Sequence, residues 1–139
     1  MRILIVDDDA DAARGLADLL LFYGHQALVA HSATEGLRLG EVLRPEVVIT
    51  DIGMPGVSGL EAARLFRQTG WGSHARLIAL TGWPAARAHA RILKAGFFAH
   101  LRKPVEIAEL LLALPTQDTG WGVPAGQAAE APNASCAGG

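Results

Sequence analysis

Asp7, Asp8, Asp51, Thr81 and Lys103 are the side chains in this sequence whose types and positions could do chemistry together. Each stands at or just beyond the end of a short apolar run. Ile3-Leu4-Ile5-Val6 leads into Asp7-Asp8-Asp9, Val47-Val48-Ile49-Thr50 into Asp51, Leu77-Ile78-Ala79-Leu80 into Thr81, and Phe97 to Leu101 towards Lys103. Runs of this kind read as strands buried on both faces of a parallel sheet. Open α/β sheets bind ligands at the carboxyl ends of such strands. Three like charges in one cleft repel and raise each other's proton affinity. A hard cation with oxygen ligands relieves this, and Mg²⁺ fits best, because it takes one or two carboxylates and bridges to phosphate oxygens. An ammonium and a hydroxyl beside the acids suit phosphoryl transfer, in which positive groups neutralise phosphoryl oxygens while a carboxylate attacks in line. Asp51, alone on its strand end, is the best nucleophile. Asp7 and Asp8, just ahead of a helix, make better metal ligands.

The elements that must position these groups follow from periodicity and punctuation. Ala10 to Tyr23 reads as a helix, with Leu16, Leu19, Leu20 and Tyr23 on one stripe, Asp8 or Asp9 as its cap and Gly24 at its end. Ala27 to Ala30 is a short strand. Ser32 with Glu35 forms a capping-box pattern for a second helix to about Leu43, with Leu37, Val42 and Leu43 on its apolar side and Arg44-Pro45 closing it. Gly53 to Ser58 is a loop, and Ser58 or Gly59 opens a third helix with Leu60, Ala63 and Phe66 inward. Gly70 to Ser73 turns the chain into the strand Arg76 to Thr81. Gly82-Trp83-Pro84 starts a fourth helix that ends near Ala95-Gly96. Phe97 to Leu101 is the fifth strand, Lys103-Pro104 a turn, and Val105 to Leu114 the last helix. Strand and helix alternate five times, which predicts a parallel sheet with helices on both faces in the order 2-1-3-4-5.

Composition narrows the function classes. The 139 residues are 50 % hydrophobic and 19 % charged, with a net charge of −2, which fits one globular domain and gives no basic footprint for nucleic acid. No apolar run reaches the roughly 20 residues needed to span a bilayer, and no signal peptide is read after Met1. The single cysteine, Cys136, excludes an internal disulfide and suits a cytoplasmic location. Gly, Ala and Pro supply 14 of the 25 residues from 115 to 139, so this stretch reads as a flexible tail or linker stub after a domain at 1–114. Trp121 in it is a candidate to dock back, and Asn133-Ala134-Ser135 reads as a chance sequon. His25, His31, His74 and His89 share no metal spacing and read as ordinary.

Ile3 to Asp9, Val47 to Gly59, Leu80-Thr81 and Lys103-Pro104 resemble the receiver domain of bacterial two-component response regulators, over about residues 1–114. The resemblance implies a flavodoxin-like (βα)5 three-layer sandwich with Asp51 as phosphoacceptor. It implies Mg²⁺ bound by Asp8 and Asp51, with Asp7 acting through water and Gly53 through its backbone carbonyl. Thr81 and Lys103 would hold the phosphoryl oxygens, and a histidine kinase or phosphotransfer protein would supply the group. The switch aromatic of the family falls at His100, a departure from the usual Tyr or Phe. The partner face of the family, helix four through helix five, would present Arg87, Arg91, His100 and Arg102 to a downstream target protein, with a homodimer as the open alternative. The positions two residues after the phosphoacceptor and the Thr, which in fast-hydrolysing members carry an amide or acid, hold Gly53 and Trp83, so a long-lived aspartyl-phosphate is expected. Two other readings stand beside this one. One is a receiver that binds partners without phosphorylation. The other is a Mg²⁺-dependent phosphatase with an aspartyl nucleophile, for which Gly53 stands where a second acid is wanted.

Overall fold

The structure is a computed structural model and describes residues 1–53, 58–82 and 85–115. Five strands, β1 (Arg2–Val6), β2 (Gln26–Ala30), β3 (Val47–Asp51), β4 (Arg76–Thr81) and β5 (Ala99–Arg102), alternate with five helices, α1 (Ala10–Phe22), α2 (Ala33–Leu43), α3 (Gly59–Arg67), α4 (Ala85–Lys94) and α5 (Ile107–Ala113). All strand pairs are parallel and the order is 2-1-3-4-5. The alternation of side chains along each strand explains the layers. Ile3, Ile5, Val47, Ile49, Ile78 and Leu80 pack under α1 and α5 with Leu16, Leu20 and Leu110. Leu4, Val6, Val48, Leu77 and Ala79 pack on the other face with Ala62, Ala63, Phe66, Trp71 and Ile92. Each fully buried Leu, Ile or Phe contributes about 1.5–3 kcal/mol. The sheet is thus held from both sides, and its carboxyl edge is a firm platform.

The expected caps form. Asp9 accepts the Ala12 N–H to start α1, and Gly24 takes φ +90 after it. Ser32 accepts the Glu35 N–H, while Glu35 reaches back to the His31 N–H at 2.7 Å, one residue before the cap. Ser58 caps α3 through the Glu61 N–H. Arg44 leaves α2 with φ +54.

Several expectations need correcting. The buried stripe of α1 is Ala13, Leu16, Ala17 and Leu20, whereas Leu19 and Tyr23 are 45 % and 46 % exposed. On α2, Val42 faces solvent, and Leu37, Leu39 and Leu43 lie against the core. The buried face of α2 carries Gly36 and Gly40, and a Cβ on Gly40 would overlap the Trp71 indole. The fifth strand begins at Ala99 and ends at Arg102, because Phe97 turns into the core and Phe98 outward. The last helix starts at Ile107, two residues later than expected. Trp83-Pro84, most of the loop after Gly53, and residues 116–139 with Trp121, Asn133 and Cys136 lie outside the described residues.

Candidate functional site

β1 and β3 are paired so that Val6 stands opposite Thr50, which brings the residues after β1 beside the end of β3. Asp7 continues the side-chain parity of Ile3 and Ile5, and Asp51 that of Val47 and Ile49, so both acids rise from the same face of the sheet. Carboxylate oxygens of Asp7, Asp8 and Asp51 come within 4.8 Å of one another. Asp7 and Asp51 are buried and Asp8 is exposed, so the cluster opens to solvent on one side. The chain after β5 supplies the opposing charge. The Lys103 N–H donates to the Thr81 carbonyl at 3.0 Å, extending the ladder one residue past the strand. From that anchor the ammonium lies 3.1 Å from Asp51 Oδ2 and 3.5 Å from Asp7 Oδ2.

Backbone donors fix the carboxylates. Asp51 Oδ1 accepts the Gly53 N–H at 3.0 Å, and Asp7 Oδ1 accepts the Asp9 N–H at 3.0 Å. The Asp7 N–H donates to the Ala30 carbonyl at 2.9 Å. α3 is pulled close under Asp51: Gly59 N–H donates to the Ile52 carbonyl at 3.1 Å, and a Cβ on Gly59 would overlap the Asp51 carbonyl. The glycine there is a requirement of close approach.

Electrostatics follow from burial. The Asp7 carboxyl is pushed above its ordinary range chiefly by desolvation, with Asp51 adding to the shift and the Asp9 N–H and Lys103 opposing it. Burial alone would lower the Lys103 ammonium. Its contacts with Asp51 and Asp7 outweigh that, and its pKa is raised. Three carboxylates against this one ammonium leave two negative charges in a half-enclosed cleft, the deficit that one divalent cation would fill. The all-oxygen donor set is that of a hard ion, and the residues fit Mg²⁺.

The sequence-derived set of Asp7, Asp8, Asp51 and Lys103 is therefore brought together. Thr81, buried at 1 % exposure, ends the neighbouring strand β4. His100 is half-buried on β5 opposite Ala79, which places it on the same face of the sheet as Thr81. Arg91 and Arg102 are exposed, and Arg87 carries no described side chain. The sequence reading missed His31: its Nδ1 lies 3.2 Å from the Asp7 carbonyl, at the rim of the acidic cluster. Only the pairing of β2 with β1 brings it there.

The family model for the response regulator receiver domain matches residues 3–115. The response regulator MprA of Mycobacterium avium is 35 % identical over 111 residues, covering 80 % of this chain and 48 % of that protein. The chain thus spans about half the length of the curated relatives it matches. A response regulator receiver domain protein from Clostridium thermocellum superposes with a TM-score of 0.73 at 35 % identity, over 81 % of this chain and 89 % of that one. The chemotaxis response regulator CheY4 of Vibrio cholerae, at 22 % identity, shares the fold with a TM-score of 0.75 over 81 % of this chain and 98 % of its own. The matched span takes in all five helices, the five strands but for Arg2 at the start of β1, and the whole acidic edge, and the chain belongs to the response regulator receiver domain family.

Proposed function

We propose that Asp51 accepts a phosphoryl group from a histidine kinase or phosphotransfer protein and that the domain, residues 1–114, then changes its affinity for a downstream partner. The observation that carries this is the placement of Asp51 between an ammonium at 3.1 Å and the two acids after β1. Asp8, Asp51 and the Gly53 carbonyl would hold Mg²⁺, with Asp7 acting through water. Bound there, the cation neutralises charge on the donor's phosphoryl oxygens. The chain's own residues do the rest. The Gly53 N–H fixes one Asp51 oxygen and leaves the other, Oδ2, to attack phosphorus. The new oxygen–phosphorus bond forms as the bond from phosphorus to the donor imidazole nitrogen breaks, and the electron pair stays with that nitrogen. Lys103 then exchanges its carboxylate partner for a phosphoryl oxygen, and the Thr81 hydroxyl takes another.

Movement of Thr81 towards the phosphoryl group vacates space on the face it shares with His100, so an inward turn of His100 carries the change to the α4–β5–α5 face. Protein partners there, or a second copy of the chain, would read it in the cytoplasm. No second substrate is turned over, because Gly53 stands where an aspartyl phosphatase wants its acid. A glycine there also orients no attacking water, so the acyl phosphate decays over minutes or longer, and decay within seconds would contradict this. Incubation with acetyl phosphate and Mg²⁺, read by intact mass, tests the proposal. One added phosphoryl group, absent in Asp51→Ala, supports it; an unchanged mass favours a receiver that works without phosphorylation.

A further inference from the structure

The two acids after β1 are not held alike. Asp7 is fixed at three points: its N–H donates to the Ala30 carbonyl at 2.9 Å, its Oδ1 accepts the Asp9 N–H at 3.0 Å, and its Oδ2 lies 3.5 Å from the Lys103 ammonium. The Asp8 side chain is exposed and makes no hydrogen bond or ion pair among the described residues. Its carboxylate nevertheless stands within 4.8 Å of those of Asp7 and Asp51. Only the backbone can put it there. The peptide between Asp7 and Asp8 is a rigid plane, and its orientation decides the direction in which Asp8 leaves β1.

The carbonyl of that peptide lacks a backbone partner. The β1–β2 ladder ends with the Asp7 N–H on the Ala30 carbonyl, and no backbone N–H reaches the Asp7 carbonyl among the described residues. His31, the next residue after β2, takes the place: its Nδ1 lies 3.2 Å from the Asp7 carbonyl oxygen. A carbonyl oxygen only accepts, so Nδ1 carries the hydrogen, and Nε2 of the neutral ring keeps its lone pair. The imidazole is itself anchored. The His31 N–H donates to Glu35 Oε1 at 2.7 Å, and Ser32 beside it accepts the Glu35 N–H at 3.1 Å. Glu35 thus ties His31 to the first turn of α2. The peptides on both sides of Asp7 are then held from the same neighbour, one by Ala30 and one by His31.

We propose that His31 is a positioning residue for the divalent cation: its bond to the Asp7 carbonyl holds the Asp7–Asp8 peptide so that the Asp8 carboxylate stands ready beside Asp7 and Asp51. This rests on the reading that Asp8 is a Mg²⁺ ligand. Without the bond, the peptide turns more freely, and Asp8 must be ordered when the ion binds. Partners that orient metal ligands change metal affinity by roughly 10–100-fold. A single uncharged bond acting through the backbone belongs at the lower end of that range.

The test titrates Mg²⁺ into the full, unphosphorylated chain by calorimetry. His31→Ala should weaken binding about 10-fold, yet melt in EDTA close to the wild type, as surface substitutions do. Asn places an amide N–H near where Nδ1 stood, so His31→Asn should restore most of the affinity. Nitrogen NMR of the neutral wild-type imidazole should show the hydrogen on Nδ1. Asp8→Asn, which removes the proposed ligand itself, should lose Mg²⁺ more severely than either variant. Wild-type affinity in His31→Ala while Asp8→Asn loses the ion overturns the role of His31 and leaves the metal reading standing. So does an Asn variant as weak as the Ala variant, a hydrogen found on Nε2 instead, or a His31→Ala domain that melts well below the wild type in EDTA. Mg²⁺ binding that Asp8→Asn retains in full overturns the metal reading and this proposal with it.

Discussion

Asp7→Asn should make the metal-free domain more stable and the Mg²⁺-loaded domain less so than the wild type. The amide is nearly isosteric and keeps the acceptor that the Asp9 N–H uses at 3.0 Å. What disappears is a buried negative charge whose pKa is raised, which means the fold holds its ionised form at a cost. The sign is fixed by the direction: a carboxyl with raised folded pKa binds protons more tightly when folded, so its ionisation at neutral pH works against folding. One ion pair to Lys103 at 3.5 Å is lost, but Lys103 keeps Asp51 at 3.1 Å, so no cation is orphaned. The repulsion between Asp7 and Asp51 also goes. The balance is about 1 kcal/mol in favour of the variant, or about 4 °C in melting temperature for a domain of this size. Mg²⁺ reverses the order. At ten times its dissociation constant, the ion stabilises the wild type by about 1.4 kcal/mol, and the variant gains much less. Thermal melts in EDTA and in excess Mg²⁺ check both signs. A variant that is less stable in EDTA and gains as much from Mg²⁺ as the wild type would refute the charge argument.

Three further perturbations follow from the same geometry. Lys103→Met leaves Asp7 and Asp51 facing each other with no ammonium between them, so it should destabilise the metal-free domain by about 1 kcal/mol. That is well below the figure for a fully buried pair, because Lys103 is 34 % exposed. It should also abolish transfer from acetyl phosphate by intact mass. Gly40→Ala drives a Cβ into the Trp71 indole and should cost about 1–3 kcal/mol in urea unfolding, with a blue or red shift in native tryptophan emission. His25 has a lowered pKa, first from burial and then from the N-terminal amine whose nitrogen lies 3.1 Å from its Nδ1. The unfolded chain therefore takes up this proton first, and stability falls as pH drops through the ordinary value of 6.5; urea midpoints between pH 8 and 5.5 should show that loss, and His25→Gln should flatten it.

How much of this was legible in the sequence depended on what each residue packs against. The central strands stood out because they are buried on both faces, and β-branched runs such as Val47 to Ile49 have no other good reading. Asp51, Asp7 and Lys103 stood out because each breaks such a run at its carboxyl end. The helix faces were harder. α1 lays Ala13 and Ala17 on the sheet, since small side chains allow close approach, and this rotates Leu19 and Tyr23 outward. α2 does the same with Gly36 and Gly40 against Phe66 and Trp71, so large apolar residues marked Leu37 and Leu43 at the edge of the packed face, added the exposed Val42 and passed over the glycines at its centre. Phe97 and Phe98 looked like the start of β5, yet Phe97 fills the core and Phe98 lies under Arg76. His31 beside Asp7 joins residues distant in sequence through strand register, and no local pattern announces it.

Reductive trapping tests the central claim most directly. Borohydride converts an aspartyl phosphate to homoserine, so treatment after acetyl phosphate and Mg²⁺, followed by peptide fragmentation, marks the accepting residue. Homoserine at position 51 alone, and only when Mg²⁺ is present, is the predicted result. Homoserine at position 7 or 8, or none anywhere in a folded sample, would contradict it.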